Sequence, residues 1–89
     1  MNLRWSPTKN AELRERYGIG FERVVAALEA GDVLDNRRHP NIENYGHQRQ
    51  LIVRIDDYIW VVPAVDDEDA TFLKTMFPSR KATKKYLER

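Results

Sequence analysis

The side chains best suited to chemistry in this sequence are basic, and they crowd at one end. Residues 74–89 hold Lys74, Arg80, Lys81, Lys84, Lys85 and Arg89 against the single acid Glu88, a surplus of five positive charges. The first 73 residues carry nine basic and thirteen acidic side chains, so the formal net charge of +1 conceals a marked asymmetry. A clustered basic surface is the electrostatic footprint expected of a protein that meets a polyanion. A solvated basic helix is the competing reading. His39 and His47 are the side chains that titrate near neutrality and so suit proton transfer. His47 is the better placed, two residues from Arg49, whereas His39 reads as a turn residue held against Pro40. Tyr45 and Tyr86 offer an aromatic face for stacking or a phenol for hydrogen bonding, with half-buried packing as the plainer role for each.

Other chemistries have little support. Asp66-Asp67-Glu68-Asp69 lacks the spaced oxygens and turn glycine of a calcium loop, so it reads as a solvated turn, as does Asp56-Asp57. No glycine-rich phosphate loop, zinc motif or nucleophile elbow is present. The sequence has no cysteine, which fits a reducing compartment and rules out a thiolate metal site. The start Met1-Asn2-Leu3-Arg4-Trp5 is not leader-like, and the apolar run from Tyr58 to Val65 is too short to span a bilayer. A soluble, cytoplasmic protein without a small-molecule cofactor or metal is expected.

The elements that must position these residues fit one domain over residues 1–89. An apolar fraction of 42%, with two Trp, four Tyr and three Phe, is enough for a packed core. Ser6 and Pro7 form an N-cap and first helical position for a helix running to Tyr17, which Gly18 stops. Ile19 and Val24 are spaced as a hydrophobic staple over a second helix, whose buried face is Phe21, Val24, Val25 and Leu28 and whose stop is Gly31. Val33-Leu34-Asp35 starts a strand, and residues 39–47 read as a polar loop. Leu51, Val53 and Ile55 alternate along a strand, Asp56-Asp57 turns the chain, and Tyr58 to Val62 returns at the centre of a sheet. Pro63 is expected to limit that ladder. A third run, Thr71 to Phe77, ends at Pro78, and Ser79 caps a last helix from Arg80 to Leu87. Trp5 and Trp60 belong to the core. The predicted class is α+β: two N-terminal helices, an antiparallel meander of three to four strands, and a C-terminal helix.

A family resemblance rests on a pattern spread over nearly the whole chain. Its pieces are Trp5-Ser6-Pro7 with Lys9-Asn10, Gly18-Ile19-Gly20-Phe21-Glu22, His39-Pro40-Asn41, and Phe72-Leu73-Lys74 continuing through Pro78-Ser79-Arg80-Lys81-Ala82-Thr83. Together they resemble the BrnT-type toxins of bacterial toxin–antitoxin systems. The resemblance implies a RelE-like fold, a cognate antitoxin encoded beside the gene, and RNA cleavage without a metal. Two stretches depart from the family pattern: His47-Gln48-Arg49, where an acid commonly neighbours the Arg, and the segment from Lys74 to Arg80.

Metal-free RNA cleavage needs a base for the 2′-hydroxyl, an acid for the leaving oxygen and cations for the developing phosphorane charge. Under the resemblance, His47, Arg49, Lys74 and Arg80 are the expected catalytic residues, with Lys81, Lys84, Tyr45 and Tyr86 binding RNA. Arg49 and Lys74 are placed to emerge on an exposed rim of the sheet. Arg80 and Lys81 stand in the first turn of the last helix, where positive charge opposes the helix dipole at a cost of roughly a few tenths of a kcal/mol, up to about 1. A bound anion would explain that placement; pairing with Asp66 to Asp69 is the alternative. The expected partners are the antitoxin and RNA, with messenger RNA one candidate. A second reading is a catalytically inactive RelE-like module that binds protein or nucleic acid. A stand-alone nucleic-acid binder is disfavoured by the lack of a recognition helix or aromatic RNA-binding signature.

Overall fold

The structure, a computed structural model, describes residues 2–38 and 48–88. The expected loop over 39–47, with His39, Tyr45 and His47, lies outside the described residues. The chain begins with β1 (Leu3–Trp5), which was not expected, and then enters α1 (Pro7–Tyr17) at the predicted cap. The Ser6 hydroxyl accepts from the Lys9 N–H, worth about 1 kcal/mol to the helix. Gly18 ends α1 at a φ of 78°, a left-handed conformation that a side chain would strain.

Entry into α2 (Glu22–Glu29) is built differently from the expected staple. The N-cap is Phe21, and no side chain of its own caps the helix. Instead, Asn10 reaches across from α1: its Oδ1 accepts from the Phe21 N–H at 2.8 Å, and its Nδ2 donates to Glu22 Oε2 at 2.7 Å. Backbone and Asn10 hydrogen bonds hold the Glu22 carboxyl below its usual range, with Arg14 nearby adding to the effect. Gly20 is required here, because a Cβ would sit 2.2 Å from Asn10 Oδ1. The buried face of α2 is Phe21, Val24 and Ala27, with Val25 and Leu28 only half-buried.

The strands β2 (Val33–Arg38), β3 (Gln48–Ile55), β4 (Tyr58–Asp66) and β5 (Thr71–Leu73) form the expected antiparallel meander, but the run expected from Thr71 to Phe77 is broken after Leu73, and Pro78 belongs to a separate short strand. Asp56 and Asp57 join β3 to β4 at φ values of 52° and 62°, the paired positive φ of the turn that matches strand twist in a two-residue hairpin. β2 runs three residues beyond its predicted start, through Asn36, Arg37 and Arg38, with a register shift around Leu34. Its polar residues stand on an exposed sheet edge rather than in a turn.

Two corrections concern the far side of β4. Pro63 does not limit the ladder: β4 continues to Asp66, with Pro63 opposite Gln50. The Pro63 carbonyl accepts from the Lys74 N–H, so its own nitrogen also faces the side where β5 has ended at Leu73 and β6 (Phe77–Pro78) has not begun. A residue without an N–H is tolerated at that break. The meander is also part of a mixed sheet, because β1 pairs in parallel with β5 while β6 pairs with β4. The order is β1-β5-β4-β3-β2, and the described residues form an α+β fold with three helices and six strands.

Helices cover both faces of this sheet. On one, Leu51, Val53, Ile55, Trp60, Val62, Ala64 and Leu73 pack with Leu13, Phe21, Val24 and Ala27 of the N-terminal helical region. Trp5 is half-buried against this core, its ring tilted against that of Phe21 at a centroid distance of 5.6 Å. On the opposite face, α3 (Arg80–Tyr86) and Leu87 cover Ile52, Ile59 and Val61. Ser79 caps α3 as predicted, by accepting from the Ala82 N–H. Thr83 fastens it to β4, its Oγ1 accepting from the Ile59 N–H at 2.9 Å while donating to the Ser79 carbonyl. No helix among the described residues is long and apolar enough to cross a membrane.

Candidate functional site

The edge strand β2 and helix α3 meet on one face of the sheet and leave a cleft between them. The helical spacing of Lys81 and Lys85 brings both to the side of α3 that faces this opening, and Arg37 approaches it from β2. Val61 and Ala82 contribute apolar lining, Ser79 and Tyr86 stand on the walls, and the volume is about 260 Å³. Arg37 Nη2 donates to Gln50 Oε1 at 3.1 Å, which steadies the guanidinium without neutralising it. Among the described residues, none of Arg37, Lys81 and Lys85 is within ion-pair distance of a carboxylate. Three cations, offset in part by the Asp35 carboxylate that Arg37 and Lys85 help to keep ionised, leave net positive charge around a small, partly apolar hollow, which suits an oxyanion that brings an organic group with it.

Tyr86 completes the site. Its hydroxyl donates to Asp35 Oδ2 at 2.7 Å, and its ring lies 5.4 Å from the Lys85 ammonium. The Tyr86 hydrogen bond, reinforced by the Asn36 N–H, holds the Asp35 carboxyl below its usual range. The same bond raises the phenol above its ordinary value. Tyr86 is therefore protonated at neutral pH and serves the cleft as a fixed hydroxyl and aromatic wall. A phenol so held is a poor general base.

The expected site residues divide into three groups. Lys81 and Tyr86 come together in the cleft, and Arg80 and Lys84 are exposed on the same helix outside its lining. Lys74 is exposed on the connection between β5 and β6. Arg49 stands on the opposite face of the sheet, because it shares the pleat of Leu51 and Val53, and it pairs there with Asp66. Arg49 and the α3 cations thus do not converge. His47 and Tyr45 lie outside the described residues.

The acidic turn does not pair with Arg80 or Lys81 among the described residues. Asp66 instead takes Arg49 and accepts from the Thr71 hydroxyl, while Asp67 accepts from the Glu68 N–H. The sequence reading missed Arg37, Lys85 and Asp35. Lys85 carried a signal, its spacing of four from Lys81. Arg37 did not, because its place in the cleft depends on the register of β2 against β3. No protein-family model matches this chain, and neither a curated protein nor a solved structure matches it.

Proposed function

We propose that this protein is the toxin of a type II toxin–antitoxin pair, a RelE-like endoribonuclease that cleaves RNA without a metal and thereby inhibits translation. The observation that carries the reading is the cleft of Arg37, Lys81 and Lys85 beside Tyr86, three cations without an ion-pair partner among the described residues. In this reading the RNA backbone enters along α3, with Arg80 and Lys84 on neighbouring phosphates. The 2′-oxygen attacks its own phosphate, the cleft cations stabilise the phosphorane charge, and the 5′-oxygen leaves. Lys81 or Lys85 supplies the leaving proton, and the Tyr86 oxygen, whose own proton is held by Asp35, accepts from the attacking 2′-hydroxyl and orients it. His47 is the proposed proton acceptor. The protein acts in the cytoplasm, and a cognate antitoxin silences it by covering the basic surface.

A second reading has an observation of its own. Arg49 faces away from the cleft and is held by Asp66, so two of the proposed catalytic cations stand on opposite sides of the sheet. That arrangement favours an RNA- or protein-binding module that has lost cleavage. Incubating single-stranded RNA with purified protein in EDTA separates the two. Cleavage to 2′,3′-cyclic phosphate ends, abolished by Lys81→Ala with Lys85→Ala, supports the nuclease. Tight binding with intact RNA supports the module.

A further inference from the structure

Beyond α3, the same face of the sheet continues to an exposed aromatic residue one strand in from the edge. The ladder registers place Arg37, Gln50 and Pro63 in one row across β2, β3 and β4. Two residues along the strands, Gln48, Val65, Phe72 and Arg4 form the next row across β3, β4, β5 and β1. The neighbours of this second row fix its orientation: Leu3, Trp5, Ala64 and Leu73 all pack into the core on the other side. Arg4 and Phe72 therefore stand out on the face that carries the cleft. Phe72 is 41% exposed although it occupies a strand between two neighbours, and Val65 and Pro63 beside it are half-buried.

An exposed ring on a sheet, flanked by cations, is how single-stranded nucleic acid is held without sequence readout: bases stack on the ring while basic side chains follow the backbone. Three strand spacings and two residues separate Phe72 from Arg37, about 16 Å. That is the reach of a few nucleotides of extended strand. Arg4 adjoins Phe72 across the ladder, and neither Arg4 nor Arg37 is ion-paired among the described residues. Asp67 and Glu68, on the turn beyond Val65, repel phosphate and bound the surface on that side. The backbone is thereby kept toward Arg4 and Arg37, with only a base reaching Phe72.

We infer that Phe72 is a stacking platform for an unpaired base, and that the nucleic acid held by the cleft is single-stranded at this position. The inference deepens the RNA reading and rests on it. A duplex buries its base faces within its own stack and has none to offer Phe72, so discrimination against paired RNA follows from the same residue.

The test is equilibrium binding of a short labelled oligoribonucleotide whose 2′-O-methyl sugars prevent cleavage. Phe72→Ala is expected to weaken binding about tenfold, since a stacked base contributes roughly 1–3 kcal/mol. Phe72→Leu, which keeps apolar area but has no π face, should bind as weakly as Phe72→Ala. Phe72→Trp should retain affinity, and its added fluorescence should be quenched by the single strand and not by the duplex of the same sequence. Thermal melts of the variants establish that the fold is intact. The inference is overturned if Phe72→Ala or Phe72→Leu binds like wild type while Lys81→Glu is weakened; the RNA reading then survives without it. It is equally overturned if Phe72→Ala spares RNA but abolishes neutralisation by the antitoxin, which would make the patch a protein-docking face. If wild type does not bind the oligonucleotide, the RNA reading itself fails.

Discussion

The Tyr86 hydroxyl donates a 2.7 Å hydrogen bond to the Asp35 carboxylate, joining the last turn of α3 to the edge strand β2. The bond requires a protonated phenol and an ionised acid. Asp35 titrates below its ordinary value because of it, so its contribution to stability is complete above the unfolded carboxylate range and is lost as pH falls through the folded value. Tyr86 titrates above its ordinary value, so its contribution holds below the unfolded phenol range and is lost as pH rises through the folded value. Tyr86→Phe should therefore melt at a lower temperature than wild type at neutral pH, with the gap closing in strong acid. Melts of both proteins across a pH series check this. No gap at neutral pH would mean that Tyr86 contributes through the packing of its ring alone, which Phe retains.

Asn10 joins α1 to the start of α2 and is the only partner of the buried Phe21 N–H shown among the described residues. Asn10→Ala leaves that donor unsatisfied and removes an acceptor that no water can easily replace, at a cost of about 2 kcal/mol. Gly20→Ala should be comparably harmful, because its Cβ meets Asn10 Oδ1 at 2.2 Å and Arg14 Cγ at 2.8 Å. Denaturant unfolding of each variant, compared through the midpoint at constant slope, measures both effects. Loss of less than half the expected amount would show that the helix junction rearranges to satisfy the amide.

The placement of Arg49 separates stability from binding. It is partly buried with Asp66 on the face packed by α1 and α2, whereas Lys81 stands unpaired in the cleft among the described residues. Arg49→Ala should cost roughly 1 kcal/mol of stability and leave RNA affinity nearly unchanged. Lys81→Ala should leave stability within about 0.5 kcal/mol of wild type. It should also weaken RNA binding and lower the salt slope of log affinity by about 0.7, the value for one lost phosphate contact on a single strand. Affinities across a salt series, with melts of the same samples, give both numbers. The opposite pattern would move the RNA site to the Arg49 face.

These contrasts also mark what the sequence could reveal. Local chemistry was legible: Ser6-Pro7 and Gly18 bound α1, Asp56-Asp57 turns the hairpin, and Ser79 starts α3. Each is decided within a few residues of chain. Features set by distant partners were not. β1 has three residues and exists through its pairing with β5 near the other end of the chain. Arg37 and Arg38 read as part of a polar, turn-forming stretch because an edge strand exposed to solvent needs no apolar alternation. For the same reason Lys81 and Tyr86 were identified from the terminal basic segment, while Arg37 and Asp35, which meet them from β2, were not. Charge and motif position point to Arg49 as a site residue, and strand register puts it on the other face.

The central claim is that RNA lies in the cleft between β2 and α3, and backbone amide shifts during titration with uncleavable single-stranded RNA test it most directly. The account predicts saturable shifts concentrated at residues 35–37 and 81–86, with a weaker set around Phe72 and little change at Leu13, Val24 or Arg49. Shifts centred on the α1 and α2 face, or none at RNA concentrations far above the protein, would contradict it.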